Sequence, residues 1–383
     1  MTNKLTIKQK KAVVDFYRYY QTHEIPENLT EIIKNNFGID ITSKYYDKII
    51  KNPVIVAPGQ ITRTPSHVNL ISKAGYGGFV LKSFVGEDQN GHCSMSEFRM
   101  KPKWIKTFHE PDDIKGERPI IHWKGGLDVR DWNTYKPFAQ YAHKIGRELG
   151  MCAIASILCH LPKEKEDWIE NEWIYTTRQL YEMGYHAFEI DFCPYLKSNN
   201  IARNKDMVLR WYKEAPGIMK KVSGEIKVFP KLLNPEWGDE FQIQMAEASI
   251  EGKADGVVVA NRIYKEEYQS AHGGKELKEI NLRTIRNIRK RGMKIPISAT
   301  GGIYTGKDVI EYIKSGAENT QLISYIMGKT KTPFAKKGSK FKQILFKLIL
   351  NPEDGIIAEM LKIKNSLGIL SVSELVGHSN CNF

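Results

Sequence analysis

The chain has 383 residues, a length that fits two or three small domains or one large α/β barrel with extensions. With 41% hydrophobic and 26% charged residues it has the composition of a globular protein, which excludes disordered and fibrous architectures. The net charge of +13 suits an acidic ligand or nucleic acid, but a general richness in lysine explains it better. Five scattered cysteines without a CxxC pair argue against a disulfide framework and a zinc or iron-sulfur site. We therefore expect no bound metal.

The N-terminal part of the chain gives no sign of export or membrane insertion. Its lysine-rich start lacks the apolar stretch of a secretory signal, and no apolar run reaches the roughly 18 residues of a membrane span. We therefore expect a cytoplasmic protein without a membrane span. Residues 1–50 contain helical patterns from Ile7 to Tyr20 and from Leu29 to Phe37, which predict an N-terminal helical extension.

Short apolar runs that alternate with helix-compatible stretches then dominate the chain. This alternation is typical of βα units, and buried parallel strands read as near-continuous runs of Val, Ile and Leu. Eight such runs predict an α/β fold with a (β/α)8 TIM barrel over residues 51–327. The runs are Pro53 to Pro58, Gly78 to Ser83, Cys152 to Leu158, Ala187 to Phe192, Lys227 to Leu233, Gly256 to Asn261, Pro296 to Thr300 and Thr320 to Ser324.

One interval between the predicted strands is much longer than a crossover connection needs. Residues 84–150 follow the second strand and include an extra apolar segment, Pro119 to Trp123. Long loops on the C-terminal face of a barrel are commonly functional, so we predict that 84–150 is a lid insertion. Residues 328–383, with an amphipathic pattern from Asp354 to Leu367, predict a C-terminal helical extension.

The segment Ala299 to Gly306, ATGGIYTG, leaves the seventh strand and opens a helix. Its paired glycines let the backbone approach a phosphate, and the helix N-terminus supplies N–H groups. The loops after strands seven and eight are the usual phosphate seat of this fold. We therefore favour a phosphate site over a simple left-handed turn.

Polar and ionisable residues end several strands on the same predicted face. Lys82, Asp191, Lys231 and Asn261 occupy such positions, and Cys193 follows the fourth strand. Buried lysines need an anionic partner, so two of them at one barrel mouth indicate an anion or an electron-rich ring. The alternatives are lysines that extend to solvent and a cysteine that is a small buried hydrophobe.

Seven blocks, in this order along the chain, resemble the dihydroorotate and dihydropyrimidine dehydrogenase family of FMN-binding barrels. They span about residues 52–325, and the tail LGILSVSELVG is similar to the ending of dihydropyrimidine dehydrogenase-like members. The blocks are NPVIVAPG, GFVLKS, FEIDFCP, FPKLLNP, ADGVVVAN, HGG and ISATGGIYTGKDVIEYIKSGAENTQLIS.

The resemblance implies FMN on the C-terminal face of the barrel. It assigns Cys193 the transfer of a proton on one substrate carbon while hydride passes between the adjacent carbon and the flavin, with Lys82 and Lys231 as further catalytic residues. It implies substrate contacts from Asp191, Tyr195, Asn261 and His92. The cofactor-binding residues that it implies are Ala57, Pro58, Gly59, Lys82, Ser83, Lys231, Asn261, Gly273, Gly274, Thr300, Gly301, Gly302, Ser324 and Tyr325.

Three departures from the family pattern concern the substrate. The block Asp191 to Tyr195 is one residue short and lacks the family's two asparagines, the family's lid block is absent, and Ile323 replaces a usual glycine. We therefore expect an FMN-dependent oxidoreductase acting on CH–CH groups of a small, cyclic or acidic substrate other than dihydroorotate. The resemblance also allows a homodimer.

No G-x-G-x-x-G follows a strand and opens a helix, so electrons would come from or go to an external partner such as NAD(P)H, a quinone or a partner protein. Two alternatives remain open. A flavoenzyme like the tRNA dihydrouridine synthases would use the lysine-rich segment Gly328 to Leu350 to bind RNA, although we expect no nucleic-acid partner. A non-redox barrel would bind a phosphate ligand alone.

Overall fold

The computed structural model describes residues 4–193, 204–234, 237–328 and 338–378. Its strands are β1 (Ser43–Tyr45), β2 (Lys48–Ile50), β3 (Val54–Val56), β4 (Gly78–Val80), β5 (Phe84–Val85), β6 (Trp104–Phe108), β7 (Ile120–Lys124), β8 (Cys152–Leu158), β9 (Ala187–Asp191), β10 (Lys227–Lys231), β11 (Val257–Val259), β12 (Ile263–Lys265), β13 (Ser270–Gly273), β14 (Ile297–Thr300) and β15 (Asn319–Leu322).

Its helices, apart from 3-10 turns, are α1 (Ile7–Thr22), α2 (Leu29–Phe37), α3 (Pro65–Ala74), α4 (Trp132–Glu148), α5 (Glu170–Glu182), α6 (Lys205–Lys220), α7 (Asp239–Glu251), α8 (Glu276–Lys290), α9 (Gly306–Ser315), α10 (Ser324–Met327), α11 (Lys340–Leu350) and α12 (Ile356–Leu367). Several begin at a side-chain cap, which satisfies backbone N–H groups that the first turn leaves open. Thr305, for example, caps α9 in a reciprocal capping box with Asp308.

Eight parallel strands close into a barrel, which confirms the predicted (β/α)8 fold. Their order is β4, β3, β15, β14, β11, β10, β9 and β8, and β8 pairs back onto β4. Seven of the predicted apolar runs contain one of these strands, because strands covered on both faces are rich in apolar residues, and the eighth run overlaps β15, which begins one residue earlier, at Asn319. The hairpin β1–β2 lies beside this barrel, and its Tyr45 stacks on Phe229 with ring centroids 4.7 Å apart.

The long excursion 84–150 contains two different kinds of structure. Its strands β6 and β7 join β12 and β13 in a four-stranded antiparallel sheet of order β12-β13-β7-β6, which we call the roof sheet. The apolar segment that the sequence singled out, Pro119 to Trp123, lies largely in β7. Helix α4 instead packs against α3 and β8 as the crossover helix of the barrel. Within the predicted lid, therefore, only the part before α4 belongs to the roof.

The two terminal segments pack on the barrel and on each other. Helix α11 contacts α3, while α12 contacts α9, α2 and α1. The sequence analysis anticipated α12 but not α11, whose sequence KFKQILFKLIL is buried along most of its length. The division into 1–50, 51–327 and 328–383 stays a prediction. Within the described ranges, no helix combines the length and the apolar character needed to cross a membrane.

Helix α9 packs so closely against the C-terminal segment that a single added methyl group tests the contact. A Cβ at Gly306 would collide with backbone atoms of Leu348 and Ile356, which cannot move as a flexible side chain would. We expect Gly306→Ala to lower the free energy of unfolding by about 1–3 kcal/mol, the usual cost of overpacking. Gly224→Ala is the control, since a Cβ there meets no atom within 4 Å. Equal midpoints for both variants in urea unfolding would contradict this packing.

Candidate active site

A cavity of about 650 Å³, including the space open to solvent, lies at the carboxyl ends of the barrel strands. This is the face on which TIM-barrel enzymes carry their active sites. Eleven residues that the sequence analysis proposed line it: Ala57, Pro58, Lys82, Asp191, Lys231, Asn261, Gly273, Thr300, Gly301, Gly302 and Ser324. The fold therefore brings residues from distant parts of the chain to one wall.

Asp191, the last residue of β9, accepts hydrogen bonds from two other side chains of the site. Ser83 donates a hydrogen bond of 2.6 Å to its Oδ2, and the Asn261 amide donates one of 2.8 Å to its Oδ1. Burial would raise the pKa of Asp191, but the positive charges of Lys231 and Lys82 outweigh it, and these two hydrogen bonds lower the pKa further. Asp191 is therefore an anion that fixes the positions of its neighbours.

Lys82 is the second buried charge, with only 3% of its surface exposed. Burial lowers the pKa of its ammonium group to about 8, against the opposing attraction of Asp191. Its Nζ lies 5.5 Å from the centroid of the Trp123 ring, within the range of a cation–π contact. Lys82 therefore still carries its positive charge at neutral pH but loses its proton at a much lower pH than an exposed lysine, which suits a residue that contacts an anion or exchanges a proton.

Glycines shape the other side of the cavity. Gly301 and Gly302 have φ angles of +92° and +62°, and a Cβ on them would press against α8 at Leu277 and Lys278. Gly273 lies beside Ser324, since a Cβ on Gly273 would be 3.1 Å from the Ser324 Oγ. Together these residues leave space for a group that approaches the backbone closely.

These features fit the phosphate and the electron-rich ring of FMN. The glycine-lined backbone and the Ser324 hydroxyl provide space and a donor for phosphate, and Lys82 and Lys231 provide buried positive charge. One residue works against the fit: a Cβ on Gly59 would collide with the Ile323 side chain, so Ile323 occupies space beside the first strand.

Eight lining residues were not proposed by the sequence analysis, and those with a polar or aromatic side chain are Trp123, Arg262 and Gln321. The Arg262 guanidinium carbon lies 3.5 Å from the centroid of the Trp123 ring, so the two side chains stack. Trp123 comes from the roof sheet, whose pairing joins distant segments and leaves no local signal. Arg262 follows Asn261 at the end of a predicted strand, and this position could have identified it.

A polar layer lies beneath the cavity, inside the barrel. The Gln321 amide donates to Glu189 Oε1 at 2.5 Å and to Ser298 Oγ at 2.9 Å, and the Tyr45 hydroxyl donates to the same Glu189 oxygen at 3.0 Å. Burial raises the pKa of Glu189 to about 6, and the charge of Lys231 limits this rise. Glu189 thus supports Lys231 from inside the barrel.

Cys193, the proposed acid or base, is 1% exposed and packs in the hydrophobic core rather than on the described cavity wall. It follows Asp191 by two residues, and its charge influences the Lys82 ammonium group. Tyr195, a proposed substrate contact, lies outside the described residues. The roles of both residues stay predictions.

The other proposed residues that do not line the cavity have different surroundings. Ser83 acts through Asp191, and Gly59 and Gly274 lie next to cavity residues. His92 is largely exposed, with its Nδ1 3.3 Å from Glu172. Tyr325 is buried, and its hydroxyl accepts a hydrogen bond of 2.9 Å from Lys347. The structure therefore does not bring His92 and Tyr325 to the cavity.

The lysine-rich segment considered for RNA binding is described only in part. Lys340 donates to the Gly328 carbonyl, Lys342 lies 2.7 Å from Glu24, and the buried Lys347 pairs with Glu117. These three lysines therefore contact groups of the chain itself. Lys329, Lys331, Lys336 and Lys337 lie outside the described residues.

Comparisons with known proteins support the family resemblance. A family model for dihydroorotate dehydrogenase matches residues 160–340. The catalytic subunit of dihydroorotate dehydrogenase B (NAD(+)) from Methanocaldococcus jannaschii is 25% identical over 287 residues, which cover 71% of this chain and 82% of that protein. The chain is dihydroorotate/dihydropyrimidine dehydrogenase-like.

Two further relatives match shorter parts of this dehydrogenase-like chain. The NAD-dependent dihydropyrimidine dehydrogenase subunit PreA of Escherichia coli K12 is 27% identical over 183 residues, 41% of this chain and 42% of that protein. The mitochondrial dihydroorotate dehydrogenase (quinone) of Schizosaccharomyces pombe is 34% identical over 99 residues, 23% of this chain and 22% of that protein. The resemblance seen in the sequence blocks is thus confirmed.

The coupling between Asp191 and Lys82 is directly measurable. Because Asp191 raises the pKa of Lys82 against the effect of burial, we expect Asp191→Asn to move this pKa further below about 8. Carbon-13 NMR titration of protein with labelled lysine measures the shift, with Lys82→Arg to assign the signal. The exposed Lys101 is the internal control and should titrate unchanged. A Lys82 pKa that is the same in both proteins would rule the coupling out.

Proposed function

We propose that the chain is an FMN-dependent oxidoreductase that transfers a hydride and a proton across a carbon–carbon bond of a small, cyclic or acidic substrate. The observation that carries the proposal is the single cavity in which buried Lys82, Lys231 and Asp191 lie beside the glycine-shaped backbone. The relatives, which are named as dehydrogenases, support the same reaction class.

In this proposal the phosphate of FMN is held by the backbone at Gly273, Gly301 and Gly302 and by the Ser324 hydroxyl. Lys231 and Lys82 provide the positive charge that favours an electron-rich ring, and Ala57 and Pro58 provide backbone and apolar contact. When bound, FMN supplies the acceptor or donor of the hydride. The remaining steps belong to side chains of the chain itself.

The substrate in this proposal lies against the wall formed by Asp191, Asn261 and the roof residues. Arg262 and Lys82 favour an anionic group, while the Trp123 ring favours a flat, conjugated substrate. Dihydroorotate is not the substrate we propose, because an aspartate stands where the family carries an asparagine. The Asp191 carboxylate only accepts hydrogen bonds, whereas an asparagine amide would also donate one to a ring carbonyl.

Cys193 is the proposed proton carrier, with Lys82 close enough for its charge to act on the thiol. A nearby cation favours a thiolate, and burial opposes it. The fold offers no G-x-G-x-x-G segment for a nicotinamide cofactor, so the second half-reaction is assigned to an external donor or acceptor.

The visible absorption spectrum of the purified protein is the first test of the cofactor. We expect a flavin spectrum, and mass spectrometry of the heat-released compound should give FMN. Lys231→Ala should weaken FMN binding by about 10- to 100-fold, the loss of one hydrogen bond to a charged group. Lys213→Ala, which changes an exposed lysine paired with Glu251, is the control. Absence of flavin after reconstitution with FMN would reject the redox proposal and favour a barrel that binds another phosphate ligand.

The substrate and the role of Cys193 are tested together by anaerobic bleaching of the flavin. We expect bleaching with a cyclic acid that has a saturated carbon–carbon bond and none with dihydroorotate. Cys193→Ser should keep the flavin and slow bleaching by about 100-fold or more, the usual contribution of a general acid or base. Cys152→Ser is the matched control, since Cys152 is buried in β8 away from this wall. Bleaching by dihydroorotate, or an unchanged rate in Cys193→Ser, would overturn the corresponding assignment.

A further inference from the structure

Two buried histidines face each other across the roof sheet. His122 of β7 and His272 of β13 are directly paired in the antiparallel register, and they are 6% and 5% exposed. The His122 Nε2 and the His272 Nδ1 lie 2.7 Å apart. A contact of this length between two ring nitrogens is a hydrogen bond, so one nitrogen carries a proton and the other does not.

The groups at both ends of the pair give the hydrogen bonds a direction. The His272 Nε2 lies 3.0 Å from the Glu276 Oε1, and Lys265 contacts the same carboxylate at 3.0 Å. The hydrogen bond from His272 lowers the pKa of Glu276 to about 2, so Glu276 is an acceptor. In the neutral pair, therefore, His272 donates to Glu276 and His122 donates to His272. At the far end the Ser270 hydroxyl lies 3.5 Å from the His122 Nδ1.

This arrangement accepts one additional proton but not two. One added proton goes to the His122 Nδ1, after which the proton of the central bond can stay on the His122 Nε2 or move to the His272 Nδ1, and the bond is kept in either case. A second proton places N–H groups on both nitrogens of the 2.7 Å contact and two positive charges in one buried site. The hydrogen bond between the two rings is then lost, and β7 and β13 keep only their backbone pairing at this point.

The surroundings make the second proton costly. Burial lowers the pKa of His122 below its ordinary value of 6.5, and the charges of His272 and Lys265 lower it further, while Glu276 and Glu267 oppose them. Lys106 of β6 is the register partner of His122, and Phe108 and Tyr268 contact its ring edge to face. Helix α10, which also packs on β7, carries Tyr325, whose hydroxyl contacts Lys347. Since the His122 pKa is lowered, the neutral form stabilises the fold above pH 6.5, and this stabilisation is lost as the pH falls below it.

The pair is adjacent in sequence to two residues of the cavity wall. Trp123 follows His122 on β7, and Gly273 follows His272 on β13. Successive residues of a strand point to opposite faces, so the histidines lie on the other side of the roof sheet from these two residues. The hydrogen bond between the two histidine rings therefore helps to set the distance between Trp123 and Gly273.

We propose that His122 and His272 are positioning residues that hold Trp123 and Gly273 in place through a hydrogen bond that tolerates one added proton and breaks with two. The roof sheet is therefore closed over the cavity at neutral pH and loosens in acid. The catalytic consequence of this inference rests on the proposed function, but the strand contact itself does not.

Hydrogen exchange of the full-length protein as purified tests the strand contact without any substrate. After correction for intrinsic exchange, we expect the protection of β7 and β13 amides to fall by about tenfold or more between pH 7.5 and 5.0, the factor that one unit of pKa shift represents. In His122→Gln the amide donates to His272 but takes up no proton, so its protection should change less than about twofold. His109→Gln changes a roof-segment histidine paired with Asp113 and should behave as wild type. Wild-type protection that does not depend on pH, or an equal fall in His122→Gln, would overturn the proposal.

A second measurement covers the case in which the variant does not fold. Imidazole NMR titration of the wild-type protein should show two coupled steps for these histidines, with one step below 6.5. Independent titration of both rings near 6.5 would overturn the proposal.

If the protein binds no FMN but keeps the pH-dependent protection, the proposed function fails and the positioning role stands. If FMN binds but the protection does not depend on pH, the positioning role fails and the proposed function stands.

Discussion

The site depends on one constraint: buried ammonium groups must have an anion within the protein. Asp191 provides it at the end of β9, and its two oxygens are each fixed by a hydrogen bond, from Ser83 and from Asn261. An anion with fixed geometry stabilises the buried ammonium groups of Lys82 and Lys231, whose burial without an anionic partner would be unfavourable. Because these residues come from four strands, their attraction also fixes the upper end of the barrel. Loss of the carboxylate would therefore alter the charge of the cavity and its shape together.

A second buried carboxylate, Glu189, lies inside the barrel beneath the cavity and also interacts with a buried lysine. Glu189 lies two residues before Asp191 and therefore points to the same face of β9, the barrel interior. The hydrogen bonds from Tyr45 and Gln321 make its burial tolerable, and Tyr45 comes from the hairpin before the first barrel strand. The hairpin β1–β2 is thus linked, through one carboxylate, to the lysine at the cavity. This link gives a physical reason for an N-terminal segment that the barrel pattern alone does not require.

The barrel was predictable because its strands carry a local signal. Runs such as GVVVAN and CAIASIL are buried on both faces and read as strands without knowledge of their neighbours. The roof sheet was not predictable in the same way, since β7 pairs with β13 across some 150 residues and its sequence PIIHW indicates only an apolar segment. Trp123 was missed for this reason, whereas the position of Arg262 at the end of a predicted strand could have identified it, although the stacking of the two exists only after the roof has formed. Lys82, Asp191 and Lys231 could be proposed from the sequence because a charged residue in an apolar strand is costly to bury and stands out in the pattern.

The two sides of the cavity differ in how much they can change without losing the fold. Gly301 and Gly302 are held by their left-handed backbone and by the close approach of α8, so most substitutions there would strain the barrel itself. Trp123 of the roof sheet and Arg262, which precedes β12, come from segments outside the eight barrel strands, so we expect their replacement to leave the barrel pairing intact. A cofactor site on the glycine side can therefore persist while the roof changes the accepted substrate. The departures from the family pattern follow this division in part: Gly301 and Gly302 are kept and the lid block is altered, whereas Ile323 and the Asp191 block are departures within the barrel.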